Sequence, residues 1–310
     1  MILRIQDSYV YTDIDIFYVN SYVQYIIELL KIIIIENNLQ INIIIGNGDY
    51  DFIVERGNNS YKIIKININW EHTLVKKGGR GTDNYPPGKI LTNEKDFYIV
   101  RFDNCEKFND ANIIIDYSIP NIYNIYKSKQ YDIFFNKMVY ISPVLFNYNI
   151  QNYENNRRQI NVLTTFINTN EPRRKKLLDD IKLYNLNHEN INNCFDNAEL
   201  EKLYLNTKIL INIHQTNEHH TFEELRVLPA LLTGVLVISE ISPLNTLIPY
   251  NDLIIWSSYD KIIETTNNVI NNYEYYHNKI FKSKEILSYL HQNNIQKMKN
   301  KLDEKLIVGV

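Results

Sequence analysis

The chain has 310 residues, of which 45% are hydrophobic, and a formal net charge of −3. That length accommodates two cores of ordinary domain size, and the near-neutral balance offers no positive field to draw the protein to nucleic acid or an anionic membrane. Two cysteines, Cys105 and Cys194, supply neither a disulfide framework nor the spacing of a zinc site, which fits a reducing, cytoplasmic compartment.

The first residues alternate like a strand and lack the basic and apolar regions of a secretory leader, so none is expected. Val19–Glu36 has helical spacing; its most apolar stretch, Tyr25–Ile35, is interrupted by Glu28 and Lys31 and is too short to span a bilayer. Ile41–Ile45, Phe52–Glu55 and Tyr61–Asn69 read as strands, with Gly46-Asn-Gly-Asp49 as a turn. A polar, glycine-rich stretch runs from Trp70 to Lys89, after which Phe97–Phe102, Asn112–Tyr117 and Val139–Ser142 resume the strand pattern. The segment Tyr148–Gln159 is polar and has no period, and it divides the chain into domains 1–155 and 156–310.

The second half restarts the alternation. Ile160–Phe166 is a strand, Pro172 opens a helix through Leu183, Ile191–Phe195 is a candidate strand and Ala198–Leu205 a helix. Lys208–Ile213 is a strongly apolar strand; Thr221 with Glu224 three residues on has the form of a capping box for the next helix. Val235–Ser239 and Leu253–Trp256 are strands, and Tyr259–Tyr276 carries a long amphipathic pattern. Short β-branched strands alternating with helices predict an α/β protein of two Rossmann-like domains facing across a cleft, with ligands beyond the carboxyl ends of the strands.

Chemistry-bearing residues concentrate between Lys208 and Glu240. The strand delivers His214, Gln215 and Thr216 to its C-terminal end, a polar loop carries His219 and His220, and a helix opens near Thr221, Glu223 and Glu224. Free backbone N–H groups and the helix dipole favour an anion there, and Arg226, one turn inside, has the geometry for a bidentate contact. Thr164, Thr165 and Asn168 follow the first strand of this half as hydrogen-bond donors; Arg173, Arg174, Lys175 and Lys176 begin the next helix, as a solvated helix start or as a phosphate clamp through Arg173 or Arg174. His214, His219 and His220 have no cysteine or acidic cluster beside them, so no metal site is expected. Asp13-Ile14-Asp15 has an Asp-x-Asp form, but strand alternation generates such triplets and no metal is expected there either.

In the first half, Glu71 and His72 stand at a strand tip, followed by Lys76, Lys77 and Arg80 in the glycine-rich segment. A histidine or carboxylate so placed suits a general base; the competing reading is a mobile surface loop.

The run Arg226-Val-Leu-Pro-Ala-Leu-Leu-Thr-Gly234, followed by Val-Leu-Val-Ile-Ser-Glu, resembles the C-terminal signature of CgeB-like GT-B glycosyltransferases, where Arg-x-Phe-Glu-Ala-x-Ala-x-Gly precedes an apolar strand. Val162-Leu-Thr-Thr-Phe with Arg173-Arg174 is similar to the first strand, loop and helix of the same domain, so the resemblance spans residues 160–290. It implies a GT-B enzyme that moves a sugar from a nucleotide-sugar co-substrate to a hydroxyl of a glycan, protein or small molecule, with no metal or other cofactor. The donor would meet Thr164, Thr165, Asn168, Arg173, His214, Gln215, His219, His220, Thr221, Glu223, Glu224 and Arg226; His72 or Glu71 would be the base. By the same resemblance, the last helix crosses back to the first domain. Pro229 stands where the family has a glutamate that holds the donor ribose. Either Glu223 or Glu224, one turn earlier, substitutes, or the chain is a non-catalytic nucleotide- or sugar-binding protein that keeps the fold.

Overall fold

A computed structural model describes residues 1–14, 19–46, 61–79, 87–89, 97–99, 105–148, 158–282 and 285–307. The expected strand Phe52–Glu55, Asp15, the Asn47–Asp49 part of the turn, Arg80 and residues 149–157 of the boundary segment lie outside the described residues. The chain forms two units: Met1–Thr73, Tyr85–Ser142 and His291–Val310 make the first, Leu74–Asn84 and Pro143–Leu290 the second.

The first unit begins with an antiparallel pair, β1 (Ile2–Ile5) and β2 (Ser8–Thr12), followed by α1 (Asn20–Glu36), β3 (Ile41–Ile45) and β4 (Lys62–Asn69). The two-residue β5 (Val75–Lys76) belongs to the second unit, whereas β6 (Pro87–Lys89) and β7 (Phe97–Ile99) pair antiparallel within the first. Then come α2 (Cys105–Asp110), β8 (Ile113–Asp116), α3 (Ile119–Lys127) and β9 (Met138–Tyr140). The sheet order is β1-β2-β3-β4-β8-β9, parallel from β2 onward. Isoleucines of β3 and β8 are buried on both faces, as a covered parallel sheet requires, and those of β4 (Ile64, Ile66 and Ile68) on one. Isoleucine is a weak helix former, yet α1 holds because Val23, Ile26, Ile27, Leu30, Ile33 and Ile34 lie on one buried face. The Tyr22 hydroxyl of α1 donates to the Ile141 carbonyl at 2.5 Å. Residues 291–307 complete this unit through Asn294, whose side chain accepts from Ser142 N and Oγ and donates to the Ser142 carbonyl and the Tyr25 hydroxyl.

The second unit runs β10 (Ile160–Thr164), α4 (Pro172–Leu183), β11 (His188–Asn190), α5 (Asn197–Leu205), β12 (Thr207–Asn212), α6 (Glu224–Leu232), β13 (Leu236–Glu240), β14 (Ile254–Ser257), α7 (Ile262–Asn271), α8 (Tyr273–Phe281) and the start of α9 (Glu285–Ile307). Its five parallel strands lie in the order β11-β10-β12-β13-β14. The winding therefore reverses between β10 and β12, and the crevice outside the carboxyl ends at such a reversal is where open α/β sheets hold ligands.

Three elements differ from the sequence pattern. The strand pairs at His188–Asn190 rather than Ile191–Phe195, because Thr164 engages the His188 and Asn190 side chains at 2.9 and 2.8 Å and draws a polar segment onto the sheet edge. The Tyr259–Tyr276 pattern is not one helix: it opens as a 3₁₀ turn and breaks at Asn272 between α7 and α8. No capping box forms at α6, whose N-cap is Glu223 without a side-chain hydrogen bond; the Thr221 hydroxyl accepts instead from Leu74 N at 3.2 Å.

Arg158, from the segment that reads as a polar boundary, is buried at 5% exposure. Its guanidinium donates to the carbonyls of Tyr204 (2.8 Å), Thr207 (2.6 Å) and Thr233 (2.5 Å). Those carbonyls close α5 and α6 and open β12, so one cation ties two helix C-termini to the sheet.

Candidate functional site

In the first unit, Glu71 and His72 follow the carboxyl end of β4 on a loop fixed by amide side chains. Asn69 Oδ1 accepts from Glu71 N; Asn121 Nδ2 donates to the Glu71 carbonyl and Asn121 Oδ1 accepts from Thr73 N and Oγ1. Asn124 Nδ2 donates to the Thr73 carbonyl at 2.5 Å. Beneath them Asp116, fully buried at the end of β8, accepts from Asn69 Nδ2 at 2.6 Å and Ser118 N at 2.7 Å. Burial pushes its carboxyl up to about 7, against the hydrogen bonds of Asn69, Ser118 and Asn121 and the attraction of His72. The backbone on both sides of His72 is thus held, next to a carboxyl that exchanges its proton near neutrality.

Because the folded pKa of Asp116 lies above that of an unfolded aspartate, the folded state binds the extra proton between about pH 4 and 7. Its contribution to stability is full below that window and is lost as pH rises through it. Asp116→Asn is expected to flatten a fall of a few kcal/mol in unfolding free energy between pH 4.5 and 7.5. Urea titration at both pH values measures this, and an unchanged slope in the variant would refute the assignment.

The glycine-rich segment, expected as a loop of the first half, enters the second unit at Leu74 and docks along residues 218–221. Val75 bridges His219 antiparallel, Lys76 N donates to Glu218 O at 2.9 Å and His220 N to Leu74 O at 2.8 Å. Gly79 permits the approach, since a Cβ there would lie 2.8 Å from both Glu218 Cβ and Val75 Cγ1. Burial lowers the pKa of His220 and Lys76 adds to that, against the hydrogen bond to the Asn217 carbonyl.

At the carboxyl ends of β10, β12 and β13 the residues singled out from sequence divide into two groups. The first is committed to internal contacts. Arg173 pairs with Glu240 at 2.5 Å, donates to the carbonyls of His214 and Thr216, and stacks 4.3 Å from the Tyr259 ring centroid. His214 is buried, donating its N–H to Glu240 Oε2 at 3.0 Å, with Nε2 2.9 Å from Ser242 Oγ and its ring stacked on His220. His219 is buried against the Thr216 hydroxyl at 2.7 Å. Thr164 is held by His188, which burial depresses to a pKa of about 4 and keeps neutral, and by Asn190. Glu224 is buried and accepts from the Tyr250 hydroxyl at 2.7 Å, which leaves Glu223 as the more accessible of the two carboxylates. Gln215 is half-buried and Asn168 exposed.

The second group surrounds Arg174, the alternative to Arg173 at the start of α4. Arg174 of α4 is 7% exposed, lies 5.0 Å over the Phe166 ring centroid, and forms no hydrogen bond among the described residues, its Nε included. Burial lowers its pKa to about 10, followed by repulsion from Arg226; Glu223 and Glu171 act in the opposite sense. Arg226 gives one N–H to Asn212 Oδ1 at 3.0 Å. Thr165 Oγ1, in the loop after β10, is also buried without a partner. Two guanidiniums close enough to repel and the N-terminus of α6 at Glu223 thus gather at the reversal between β10 and β12, with Thr165 in the loop after β10. Such a constellation is completed by an anion with several acceptor oxygens. Among the described residues, no group of histidine, cysteine and acidic side chains is arranged to hold a metal, and no helix is long and apolar enough to cross a membrane.

The sucrose-phosphate synthase structure from Thermosynechococcus elongatus is similar to this chain with a TM-score of 0.50 at 11% identity, covering 92% of this chain and 78% of that one. The likeness is one of fold. The mixed α/β architecture with parallel sheets is present as the sequence predicts, and its structural neighbours are GT-B glycosyltransferases. The TarM structure gives a TM-score of 0.49 at 12% identity, over 88% of this chain and 58% of TarM. In sequence, the chain is 28% identical to uncharacterized protein L140 of Acanthamoeba polyphaga mimivirus over 228 residues, 71% of this chain and 73% of the relative. It is 34% identical to uncharacterized protein R358 of the same virus over 79 residues, 24% of this chain and 28% of that protein. No family model matches.

Proposed function

We propose that this protein is a GT-B glycosyltransferase, of the CgeB-like kind its signature resembles, that moves a sugar from a nucleotide-sugar donor to a hydroxyl acceptor. The observation that carries the reading is Arg174, a buried guanidinium beside Arg226 that forms no hydrogen bond among the described residues. In this reading the donor diphosphate lies against Arg174, Arg226, Thr165 and the first turn of α6, with Glu223 toward the ribose in place of the residue that Pro229 replaces. As the bond to the sugar breaks, negative charge grows on the leaving diphosphate, and fixed cations and helix N–H groups stabilise that charge without reorganising. His72, on the fixed loop above Asp116, takes the acceptor proton; Glu71 is the other candidate. Arg173, His214 and His219 shape the loop beside the donor rather than touch it. No metal is assigned a role, and a reducing, cytoplasmic setting belongs to the same proposal.

Calorimetry against UDP-, GDP-, ADP- and dTDP-linked sugars, with and without a divalent metal, tests it. One donor is expected to bind without metal, and Arg226→Ala to weaken it by at least about tenfold, the loss of one charge-assisted contact. Silence across the panel from a folded protein would overturn the reading.

A further inference from the structure

A second concavity is lined wholly by residues of the first unit. It has a volume of about 700 Å³, in the range of pockets that take a single small ligand. Its floor is apolar: Ile119 and Ile122 of α3, Phe135, and Met138 and Tyr140 of β9. Ile122 packs on the core cluster containing Ile125, Phe134 and Met138, which ties the floor to the core. The rim continues outward as exposed ring surface, with Phe135 38% and Tyr126 46% exposed and their centroids 4.7 Å apart.

One end is cationic. Lys301 and Lys305 of α9 line it together with Glu304. Lys301 is satisfied, donating to Asn136 O at 2.8 Å and pairing with Glu304 at 2.9 Å. Lys137 nearby is spent on the carbonyls of Phe108 and Asn109. The Lys305 ammonium has no acceptor among the described residues. Burial lowers its pKa first, Lys301 and Lys137 add to that, and Glu304 opposes them.

We propose that this pocket binds one molecule of an amphiphilic anion, its apolar body on the isoleucine and aromatic floor and its phosphate or carboxylate head on Lys305. A bare inorganic anion would leave the floor wetted, and a neutral apolar molecule would leave Lys305 unmet and further desolvated. Only a ligand with both parts answers both ends. This inference stands apart from the proposed glycosyl transfer, since none of the residues it uses is assigned there to the donor or to the acceptor base.

Calorimetry on the full chain with decyl phosphate, kept below its micellar concentration, is the test. Decanol, inorganic phosphate and phosphatidylglycerol vesicles are the comparison arms. Decyl phosphate is expected to bind at one per chain and at least about tenfold more tightly than decanol or inorganic phosphate. Lys305→Gln is expected to weaken it about tenfold, the scale of one charge-assisted contact, and Phe135→Ser a few-fold. Both positions are partly exposed, and unchanged melting of the variants confirms that the fold is kept. No saturable uptake, equal binding by Lys305→Gln, equal binding of decanol, or uptake by vesicles without uptake of the monomer would each overturn the proposal.

Discussion

Replacing Arg158 with methionine is expected to destabilise the second unit by about 3–5 kcal/mol, the scale of removing a buried cation's hydrogen bonds and stranding its acceptors. Methionine roughly fills the space, so the loss comes from polarity rather than a cavity. The carbonyls of Tyr204, Thr207 and Thr233 would lose their shared donor in a region closed to water. Arg158→Lys should recover only part, because an ammonium on a shorter stem does not fork between Tyr204 and Thr233. Hydrogen exchange of β12 and α6 amides reads the effect locally. Protection equal to that of the unsubstituted protein would mean that the helix ends are held by something else.

Arg174→Met should behave in the opposite way. Here the buried guanidinium has repulsion from Arg226 and no hydrogen bond to offset its desolvation. Removing it should leave melting unchanged or raise stability by about 1 kcal/mol, as when a buried charge whose desolvation outweighs the attraction of Glu223 and Glu171 is replaced by an apolar side chain. The methionine sulfur can take over the contact with Phe166. Binding of the donor nucleotide should meanwhile fall by about a hundredfold, equivalent to roughly 2.7 kcal/mol, within the range for charge-assisted contacts. A rise in stability with a loss of binding is the signature of a residue kept for a ligand. Thermal melting with and without the best donor measures both. A variant that melts well below the parent would make Arg174 a structural residue and remove the main support for the proposed site.

Much of the fold was legible because its central strands are β-branched runs. Ile41–Ile45 and Lys208–Ile213 announce buried parallel strands from composition alone, and the structure has β3 and β12 there within a residue. The edge strand His188–Asn190 was not legible, since its register is set by hydrogen bonds to Thr164 rather than by apolar side chains. In the site, reading Arg173 and Arg174 as a helix start obscured that consecutive residues point in directions about 100° apart. Arg174 shares a stripe with Leu177 and Ile181, both buried, and an arginine at that spacing from two apolar residues was the available signal. The amides of Asn69, Asn121 and Asn124 were hidden differently. In a sequence so rich in asparagine, composition cannot mark the three that hold Glu71–Thr73.

The first unit draws on both ends of the chain. Asn294 meets Tyr25 and Ser142 within it, while 148 residues of the second unit, Pro143 to Leu290, are made in between. On a ribosome adding about 5–20 residues each second, the sheet of the first unit waits many seconds for the helix that completes it. The five-stranded sheet of the second unit, made entirely from residues after Pro143, can close sooner. The order of synthesis and the order of completion are therefore reversed, and the earliest-made strands stay longest without their last covering helix.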